Sequence, residues 1–337
     1  MKSLTITVPS YNSADYLGRC LDSLLVGGEK VEILVVNDGS TDETEKIANA
    51  YAAKYPTIVK VINQENLGHG GAVGTGLRHA TGKYFKVVDS DDQLGADALK
   101  TVLQRIDQWQ ADGDNVDLIV CNYVYEKTGE PPYVVNYRKA FHNDKIESWD
   151  EVGNFGLTQY LIMHAQIFKT SVLRESKVTL PLHTFYVDNL FAYQPLPLAK
   201  KICYLDVDLY HYFIGRDDQS ITTQNMMNRI DQQLLVTKLM IDVTDIYALN
   251  SPKLTACMER NLSSVMSISS VLLLMIGNDD ALKKRTDLWQ HVKKTSPHLY
   301  HRLRFHRVCG FTYLPTKFGG WVTKFGYRIA RKIVKFQ

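Results

Sequence analysis

The run Asp89-Ser90-Asp91-Asp92 is the part of this chain best equipped for chemistry. It directly follows residues 84–88, whose aromatic and apolar side chains predict a buried strand. Three carboxylates at the end of such a strand are unfavourable unless a nearby group neutralises them. A divalent cation carrying a diphosphate would do so, because hard cations favour oxygen ligands. Alternatively, Asp91 or Asp92 caps a helix through residues 96–103.

The elements that would position this run alternate between strand and helix patterns. Apolar runs predict strands at residues 3–8, 31–36, 58–62, 83–88 and 116–121, and helical spacing predicts helices at residues 16–25, 41–54, 70–80 and 97–112. This order predicts an α/β fold, a mostly parallel sheet with helices on both faces. Ligands of such sheets bind beyond the carboxyl ends of the strands, where the polar motifs of this chain lie.

The first two predicted strands end in residues suited to a planar ligand. Strand one leads to Pro9, Tyr11 and Asn12, and the Tyr11 ring offers a flat face for stacking on a base. Strand two leads to Asp38, whose carboxylate can accept hydrogen bonds from a base edge. A turn or cap role is the alternative for Asp38.

A glycine-rich loop at residues 66–72 follows the third predicted strand and contains Asn66 and Gly70. Glycines let backbone amides approach a ligand closely, and the N-terminus of the following helix favours anionic groups. The spacing differs from that of a Walker loop, which argues against an ATPase.

Composition limits the class of protein. Apolar residues make up 45% of the 337 residues, which is enough for a sizeable core. The five cysteines include no CxxC pair, so we expect a reducing compartment, with neither a disulfide framework nor a zinc site. A strand begins almost at once, so we expect no signal peptide. The most apolar run, residues 271–276, is too short to span a bilayer.

The second half of the chain follows a different pattern. Residues 122–222 mix extended and helical patterns, and residues 223–300 have helical spacing punctuated by Pro252 and Pro297. We therefore expect a boundary near residue 121 between two halves, at residues 1–121 and 122–222. A helical subdomain at 223–300 and a tail at 301–337 would follow.

The tail at residues 301–337 is basic and aromatic. It contains nine Lys or Arg residues, no Asp or Glu and eight aromatic residues, whereas the net charge of the whole chain is only +3. Such a composition suits an anionic membrane surface, and no nucleic-acid module is evident. We expect a cytoplasmic protein held peripherally at the inner face of the cell membrane. The alternative is a docked C-terminal helix with a solvated basic face.

Four segments together resemble glycosyltransferase family 2, the inverting enzymes of GT-A fold. They are VPSYN at residues 8–12, VNDGSTD at 36–42, ENLGHGGAVGTGLRHATGKYFKVVDSDD at 65–92 and YHYFIGRDDQSIT at 210–222. The resemblance covers roughly residues 3–222. It implies a glycosyltransferase domain at residues 1–222, with a nucleotide-binding half at 1–121 and an acceptor and catalytic half at 122–222.

The resemblance implies a role for each matching position. The nucleotide base, most often uracil in the family, would bind Pro9, Tyr11, Asn12 and Asp38. Asn37 departs from the second aspartate that often precedes Asp38 in the family. The acidic run would bind the ribose and Mn²⁺ or Mg²⁺, with Asp91 as the first metal contact and Asp89 or Asp92 as its partner. The remaining implied donor contacts are Asn66, Gly70, Asp89, Ser90, Arg216, Gln219 and Ser220.

The family's catalytic base corresponds here to Asp188, since Val187 occupies the place of the usual first acid. A helix cap is the alternative role for Asp188. Arg216 has the alternative of pairing with Asp217 or Asp218. We expect structural roles for the nearby histidines, and Trp149 stacks on a sugar or packs in the core. These histidines are His69, His164, His183 and His211.

The resemblance predicts a hexosyltransferase that moves a sugar from a UDP-sugar to a glycan or lipid-linked acceptor of a surface polysaccharide. A processive synthase is disfavoured, because neither several membrane spans nor a Gln-x-x-Arg-Trp motif is found. A nucleotidyltransferase would need a basic, glycine-rich N-terminal signature, which the segment VPSYN does not supply. Because Val187 replaces the usual first acid, one alternative stays open. In it, the chain is a non-catalytic protein that binds a glycan or is a partner subunit of an active transferase.

Overall fold

The computed structural model describes residues 2–156, 159–215 and 222–314. The chain divides into two compact units. The first contains the described residues up to Ile214, except Gln159 and Tyr160. Those two residues and the described residues from Gly215 onward form the second unit.

One mixed sheet forms the centre of the first unit. Its ten strands among the described residues are β1 (Leu4–Ser10), β2 (Val31–Asp38), β3 (Val59–Gln64), β4 (Tyr84–Val87), β5 (Gln93–Leu94), β6 (Leu118–Lys127), β7 (Tyr133–Val135), β8 (Ile146–Glu147), β9 (Gln166–Lys169) and β10 (Ile202–Ile214). The first-unit helices are α1 (Ala14–Leu25), α2 (Thr44–Lys54), α3 (Gly68–His79), α4 (Ala96–Asp112), α5 (Thr170–Glu175) and α6 (Asp188–Tyr193).

The strand order is β3-β2-β1-β4-β9-β6-β10-β5. Strands β1, β2, β3 and β4 run parallel, as do β6 and β10, while β9 lies antiparallel between β4 and β6. Every residue of β1 and β2 is buried, including polar residues such as Thr5 and Glu32, as expected for parallel strands covered on both faces. The predicted α/β class with a mostly parallel sheet is confirmed, and the strand predicted at residues 116–121 continues to Lys127.

Helix α3 packs against β1 and β2 at very short range because of Gly76. A Cβ atom on Gly76 would lie 1.7 Å from Thr7 Oγ1, so no larger residue fits without displacing the helix. The close packing fixes the helix that begins at the glycine-rich loop relative to the parallel strands.

The second unit is helical among its described residues, which confirms the predicted C-terminal helical region. It contains α7 (Thr223–Asn228), α8 (Ile230–Asp242), α9 (Pro252–Ile276), α10 (Asp279–Thr295) and α11 (Pro297–His306). Pro252 and Pro297 occupy first-turn positions, which suit proline because no helical N–H is lost there. Within the ranges described, no helix is both long and apolar enough to cross a membrane.

A buried carboxylate joins α9 to α11 in this unit. Glu259 is 2% exposed and forms ion pairs with Arg302, at 3.0 Å, and with Arg307. The Tyr247 hydroxyl donates a further hydrogen bond of 2.5 Å to Glu259 Oε1. Burial opposes ionisation of this side chain, but the hydrogen bonds from Arg302, Tyr247 and Arg307 lower the pKa of Glu259.

Candidate active site

The polar motifs predicted at strand ends lie along one edge of the sheet. Strands β1, β2 and β4 are parallel neighbours, and Ser10 at the end of β1 pairs with Asn37 near the end of β2. The Val88 amide donates to Thr7 O at 2.9 Å, which holds the start of the acidic run beside β1. The residues after these three strands therefore meet at the edge where ligands of parallel sheets bind.

Asp92 is the most deeply buried carboxylate of the acidic run, with no exposed surface. The Tyr210 hydroxyl donates to Asp92 Oδ2 at 2.6 Å, and the Phe213 amide donates to Oδ1 at 2.9 Å. Helix α4 begins at Ala96 after Gly95 and has no side-chain cap. The helix-capping alternative for the acidic run is therefore wrong.

Asp89 lies between two histidines. Its Oδ1 atom is 2.8 Å from His69 Nε2, and its Oδ2 atom is 3.7 Å from His164 Nε2. The Asp89 amide donates to the Tyr210 hydroxyl at 3.2 Å. Local sequence patterns did not indicate that these two histidines come together, since His69 precedes Asp89 by 20 residues and His164 follows it by 75.

His164 is almost fully buried, and both of its ring nitrogens lack a hydrogen-bond partner among the described residues. Its ring stacks on Tyr212 at 4.4 Å between centroids and meets Tyr210 edge-on at 4.6 Å. A buried imidazole without partners is unfavourable unless it has a further ligand. His164 is therefore better placed to bind a ligand than the expected structural role implies.

Asp89, Asp92 and His164 form a group that could hold a metal ion, with one ligand atom of each within 4.8 Å of the others. Two carboxylates and an imidazole are a donor set that suits a divalent cation such as Mn²⁺. The unpartnered imidazole nitrogens of His164 fit the same interpretation. Asp91, the predicted first metal contact, is half-buried and lies outside this group, so its assignment stays a prediction.

The surroundings shift the pKa values of Asp89, Asp92 and His69 in different ways. Burial opposes ionisation of Asp89, but the charge of His69 and the proximity of His164 hold the Asp89 pKa below its usual value. Burial, reinforced by the charges of Asp91 and Asp89, raises the pKa of Asp92 well above its usual value. Burial opposes protonation of His69, but the charge of Asp89 raises the His69 pKa. A cation would relieve the repulsion at Asp92.

Asp188, the predicted base, is the first residue of α6. Burial raises its pKa, and His164, His69 and Asp89 are the charged groups that act on it next. The structure thus brings Asp188 to the same histidines that flank Asp89. Val187 occupies the N-cap position of α6, and its side chain forms no capping hydrogen bond.

Local contacts hold several residues of the predicted base pocket in place. Tyr11 is 53% exposed, while Pro9 is buried within β1. The Thr41 amide donates to Asn12 Oδ1 at 2.8 Å, which fixes the Asn12 side chain. Gln64 Nε2 and the Leu67 amide donate to Asp38 Oδ1, leaving Asp38 Oδ2 without a partner among the described residues.

Ser90, a predicted donor contact, is buried with its Oγ atom 2.7 Å from Ser13 Oγ. The Ser13 amide in turn donates to Thr44 Oγ1 at 2.7 Å. Ser90 therefore connects the acidic run to the segment after β1.

The glycine-rich loop packs closely against neighbouring segments of the first unit. A Cβ atom on Gly70 would lie 2.9 Å from both Leu180 Cβ and Pro181 O, so this glycine lets α3 approach the segment before Asp188. The exposed Asn66 packs against Gly39, where a Cβ atom would lie 2.9 Å from Asn66 N. The roles of Asn66 and Gly70 in donor binding stay predictions.

The remaining predicted residues lie elsewhere or beyond the described parts. Trp149 is in the core, where its Nε1 donates to Ala199 O at 2.8 Å. His211 Nδ1 lies 2.8 Å from Glu126 Oε1, and the exposed His183 donates its amide to Leu67 O. The predicted diphosphate contacts lie outside the described residues. They are Arg216, Gln219 and Ser220.

Two residues of the site were missed in the sequence. Tyr210 lies in the quoted segment at 210–222, but nothing in its spacing indicated that it would bond Asp92 and the Asp89 amide. Lys86 was assigned to a buried strand without a role of its own, although a lysine in such a strand is unusual. Lys86 is fully buried, and its Nζ donates to His164 O at 2.8 Å and to Gln166 O at 3.4 Å.

Comparisons with known proteins agree with the resemblance. The profile described as Glycosyl transferase family 2 matches residues 5–173. The glycosyltransferase GlyA of Streptococcus pneumoniae is 29% identical over 67% of this chain and 33% of its own length. The poly(ribitol-phosphate) beta-glucosyltransferase of Bacillus spizizenii is 30% identical over 65% of this chain and 33% of its own length. The chain thus spans about a third of each of these two relatives.

A solved structure shares the fold. The crystal structure of S. aureus TarS 1–349 in complex with UDP-GlcNAc matches with a TM-score of 0.70 and covers 98% of this chain and 92% of that one. The two sequences are 18% identical, so the likeness concerns the fold alone.

Proposed function

Because this chain belongs to glycosyltransferase family 2, we propose that it transfers a sugar from a nucleoside-diphosphate donor to a hydroxyl of a glycan or lipid-linked saccharide. UDP-sugars are the first donors to test, since the TarS neighbour was solved with UDP-GlcNAc. A surface polysaccharide is the proposed context, in keeping with the poly(ribitol-phosphate) glucosyltransferase among its relatives.

The observation that carries the proposal is the metal-capable group of Asp89, Asp92 and His164, two members of which, Asp89 and His164, act electrostatically on Asp188. The group offers ligands suited to a divalent cation. Asp188 lies where the charges of His164 and His69 reach it. A carboxylate beside a cation site at the edge of a parallel sheet provides both a base and a place for a diphosphate.

Transfer with inversion needs one base. The acceptor oxygen forms a bond to the anomeric carbon while the bond from that carbon to the diphosphate oxygen breaks. Asp188 takes the hydroxyl proton as the acceptor attacks. Burial raises the pKa of Asp188, and a carboxylate with a raised pKa is a stronger base for that proton.

Asp89, Asp92 and His164 would hold the metal, with Asp91 as the further predicted contact. When bound, the metal would supply positive charge against the charge that develops on the departing diphosphate. Asp38 and Tyr11 would bind the nucleotide base, through the Asp38 Oδ2 atom, which has no partner among the described residues, and the exposed ring of Tyr11.

The proposal includes a peripheral association with the inner face of the cell membrane. Phe305, Val308 and Phe311 are exposed large apolar residues within seven positions of the second unit. They lie among the basic residues that begin the tail at 301–337. Exposed aromatics among cationic residues favour an anionic lipid surface.

Calorimetric titration of UDP with Mn²⁺ and with EDTA tests the proposal. We expect binding with Mn²⁺ and its loss with EDTA. Asp91→Ala should abolish the metal-dependent part, while Asp97→Ala, a carboxylate with a 97% exposed side chain on α4, should not. Absence of UDP binding with Mn²⁺ would contradict the proposal and favour a non-catalytic partner of a transferase.

A further inference from the structure

Lys86 is a buried cation inside the sheet. It lies on β4 between the aromatic residues that begin the strand and the acidic run that follows it, and it has no exposed surface. Its Nζ atom lies 5.1 Å from the centroid of the Tyr210 ring. Burying an ammonium group is unfavourable unless hydrogen bonds compensate for the lost water.

The hydrogen bonds of Lys86 are directed to one short segment. Its Nζ donates to the carbonyl oxygens of His164, at 2.8 Å, and of Gln166, at 3.4 Å. Backbone pairing between β4 and β9 comprises only Tyr84 with Lys169 and Phe85 with Phe168. Beyond that pair the Lys86 side chain, rather than the backbone ladder, connects β4 to the segment at residues 164–166.

That segment carries the imidazole of the candidate metal site. His164 lies two residues before the start of β9. Among the described residues, no hydrogen bond to its ring nitrogens orients the ring. The ring orientation therefore depends on stacking against Tyr212 and on the position of the His164 backbone. Lys86 binds that backbone directly.

We propose that Lys86 is a positioning residue that holds His164 against Asp89 and Asp92 by binding the carbonyl groups of residues 164 and 166. This inference rests on the proposed function, because it assigns Lys86 to the metal site proposed there. Groups that orient metal ligands commonly alter metal affinity about 10- to 100-fold when they are removed.

The charge of Lys86 acts in the opposite direction. An ammonium near a cation site repels the cation, so a purely electrostatic role predicts that removing the charge tightens Mn²⁺ binding. A positioning role predicts weaker binding. The sign of the change therefore distinguishes the two roles.

The test compares Lys86→Met with unmodified chain and with Lys83→Met, a lysine substitution just before β4. Mn²⁺ affinity is measured by electron paramagnetic resonance, with UDP present, and folding by thermal melting. We expect Lys86→Met to bind Mn²⁺ about 10-fold or more weakly, and Lys83→Met to match the unmodified chain. Unchanged or tighter binding by a folded Lys86→Met would overturn the inference.

A second variant shows whether Lys86 acts through His164. In a His164→Gln background, Lys86→Met should weaken Mn²⁺ binding no further, because the orienting contact then has no imidazole to hold. Additive losses would overturn the inference. If Lys86→Met does not fold, Lys86→Gln replaces it. Its amide nitrogen ends one bond short of the lysine Nζ, so we expect weaker Mn²⁺ binding there too. Absence of Mn²⁺ binding by the unmodified chain would instead reject the proposed function itself.

Discussion

The Tyr210 hydroxyl lies 2.6 Å from Asp92 Oδ2, although the two residues are 118 positions apart in the chain. The same oxygen accepts a hydrogen bond from the Asp89 amide. One phenol on β10 therefore bridges the Asp92 carboxylate and the Asp89 backbone, at the two ends of the acidic run. The contact supports the metal-capable group, because Asp92 is a fully buried carboxylate beside two further acids, with the Phe213 amide as its other hydrogen-bond donor.

Tyr210→Phe should remove this connection while keeping the ring. We expect about 10-fold weaker Mn²⁺-dependent UDP binding and a loss of about 1–3 kcal/mol in stability, because Asp92 loses a buried hydrogen bond. Tyr84→Phe is the matched control, since the Tyr84 hydroxyl donates to Val116 O in the same sheet. It should lower stability and leave UDP binding unchanged. Equal effects of both variants on UDP binding would contradict the account.

Asp188→Asn should separate binding from transfer. An amide cannot take the acceptor proton, so we expect turnover to fall by about 10²- to 10⁴-fold with UDP affinity retained. Asp97→Asn, the same change in the first turn of α4, is the control and should keep full turnover. The measurement is the initial rate of UDP release alongside calorimetry. Full turnover by Asp188→Asn would show that the base is another group.

Glu259→Gln should destabilise the second unit in a pH-dependent way. Removing one partner of a buried ion pair leaves Arg302 and Arg307 without their carboxylate, which typically lowers stability by about 3–5 kcal/mol. The folded pKa of Glu259 is depressed. Its contribution is therefore present above the unfolded pKa and is lost as pH falls through the folded pKa.

Thermal melting of the unmodified chain and of Glu259→Gln between pH 7 and pH 3 measures the contribution of the Glu259 charge to stability. The difference in melting temperature should be largest near neutrality and should shrink below about pH 4, where the unfolded carboxyl begins to protonate. A difference that stays constant over this range would show that Glu259 contributes through packing rather than through its charge.

Two glycines of α3 should respond oppositely to alanine. Gly76→Ala places a Cβ atom against Thr7, so we expect a loss of about 1–3 kcal/mol or more. Gly74→Ala meets only Arg78 Nη1 at 3.6 Å, an ordinary contact. It should stabilise by up to about 1 kcal/mol, because alanine favours helix. Chemical denaturation measures both values, and equal effects would contradict the proposed close approach of α3 to β1.

The exposed aromatics of the second unit should mediate membrane binding. Phe305 and Phe311 are 63% and 69% exposed. Their joint replacement by serine should reduce sedimentation with phosphatidylserine vesicles, and high salt should reduce it further. Leu235→Ser with Leu282→Ser, two exposed apolar residues on α8 and α10, is the control. Loss of binding in the control alone would contradict this role.

Much of the first unit could be predicted from local sequence. Buried strands such as β1 and β2 are short segments rich in apolar residues, and the alternation of strands and helices places the strand ends at one edge of the sheet. The acidic run and Asp188 were identified because the sequences around them resemble those of a known family. These features depend on residues close together in the chain.

The rest of the site depends on long-range contacts that local patterns do not encode. His164 reaches Asp89 only because β9 inserts antiparallel between β4 and β6, a pairing that no periodicity indicates. A lysine within an apolar strand was visible at Lys86, but its carbonyl partners 78 and 80 residues away were not. The carboxylates of the acidic run could therefore be predicted from local sequence. Their partners, the His164 imidazole and the Tyr210 phenol, were identified only in the tertiary structure.

The most direct test of the central claim is UDP release from a panel of UDP-sugars by the purified chain, with Mn²⁺ and with EDTA. The account predicts release from at least one donor with Mn²⁺, its loss with EDTA, and its loss in Asp188→Asn. Release that is indifferent to EDTA would contradict the metal site, and no release from any donor, together with no UDP binding, would contradict the transferase function.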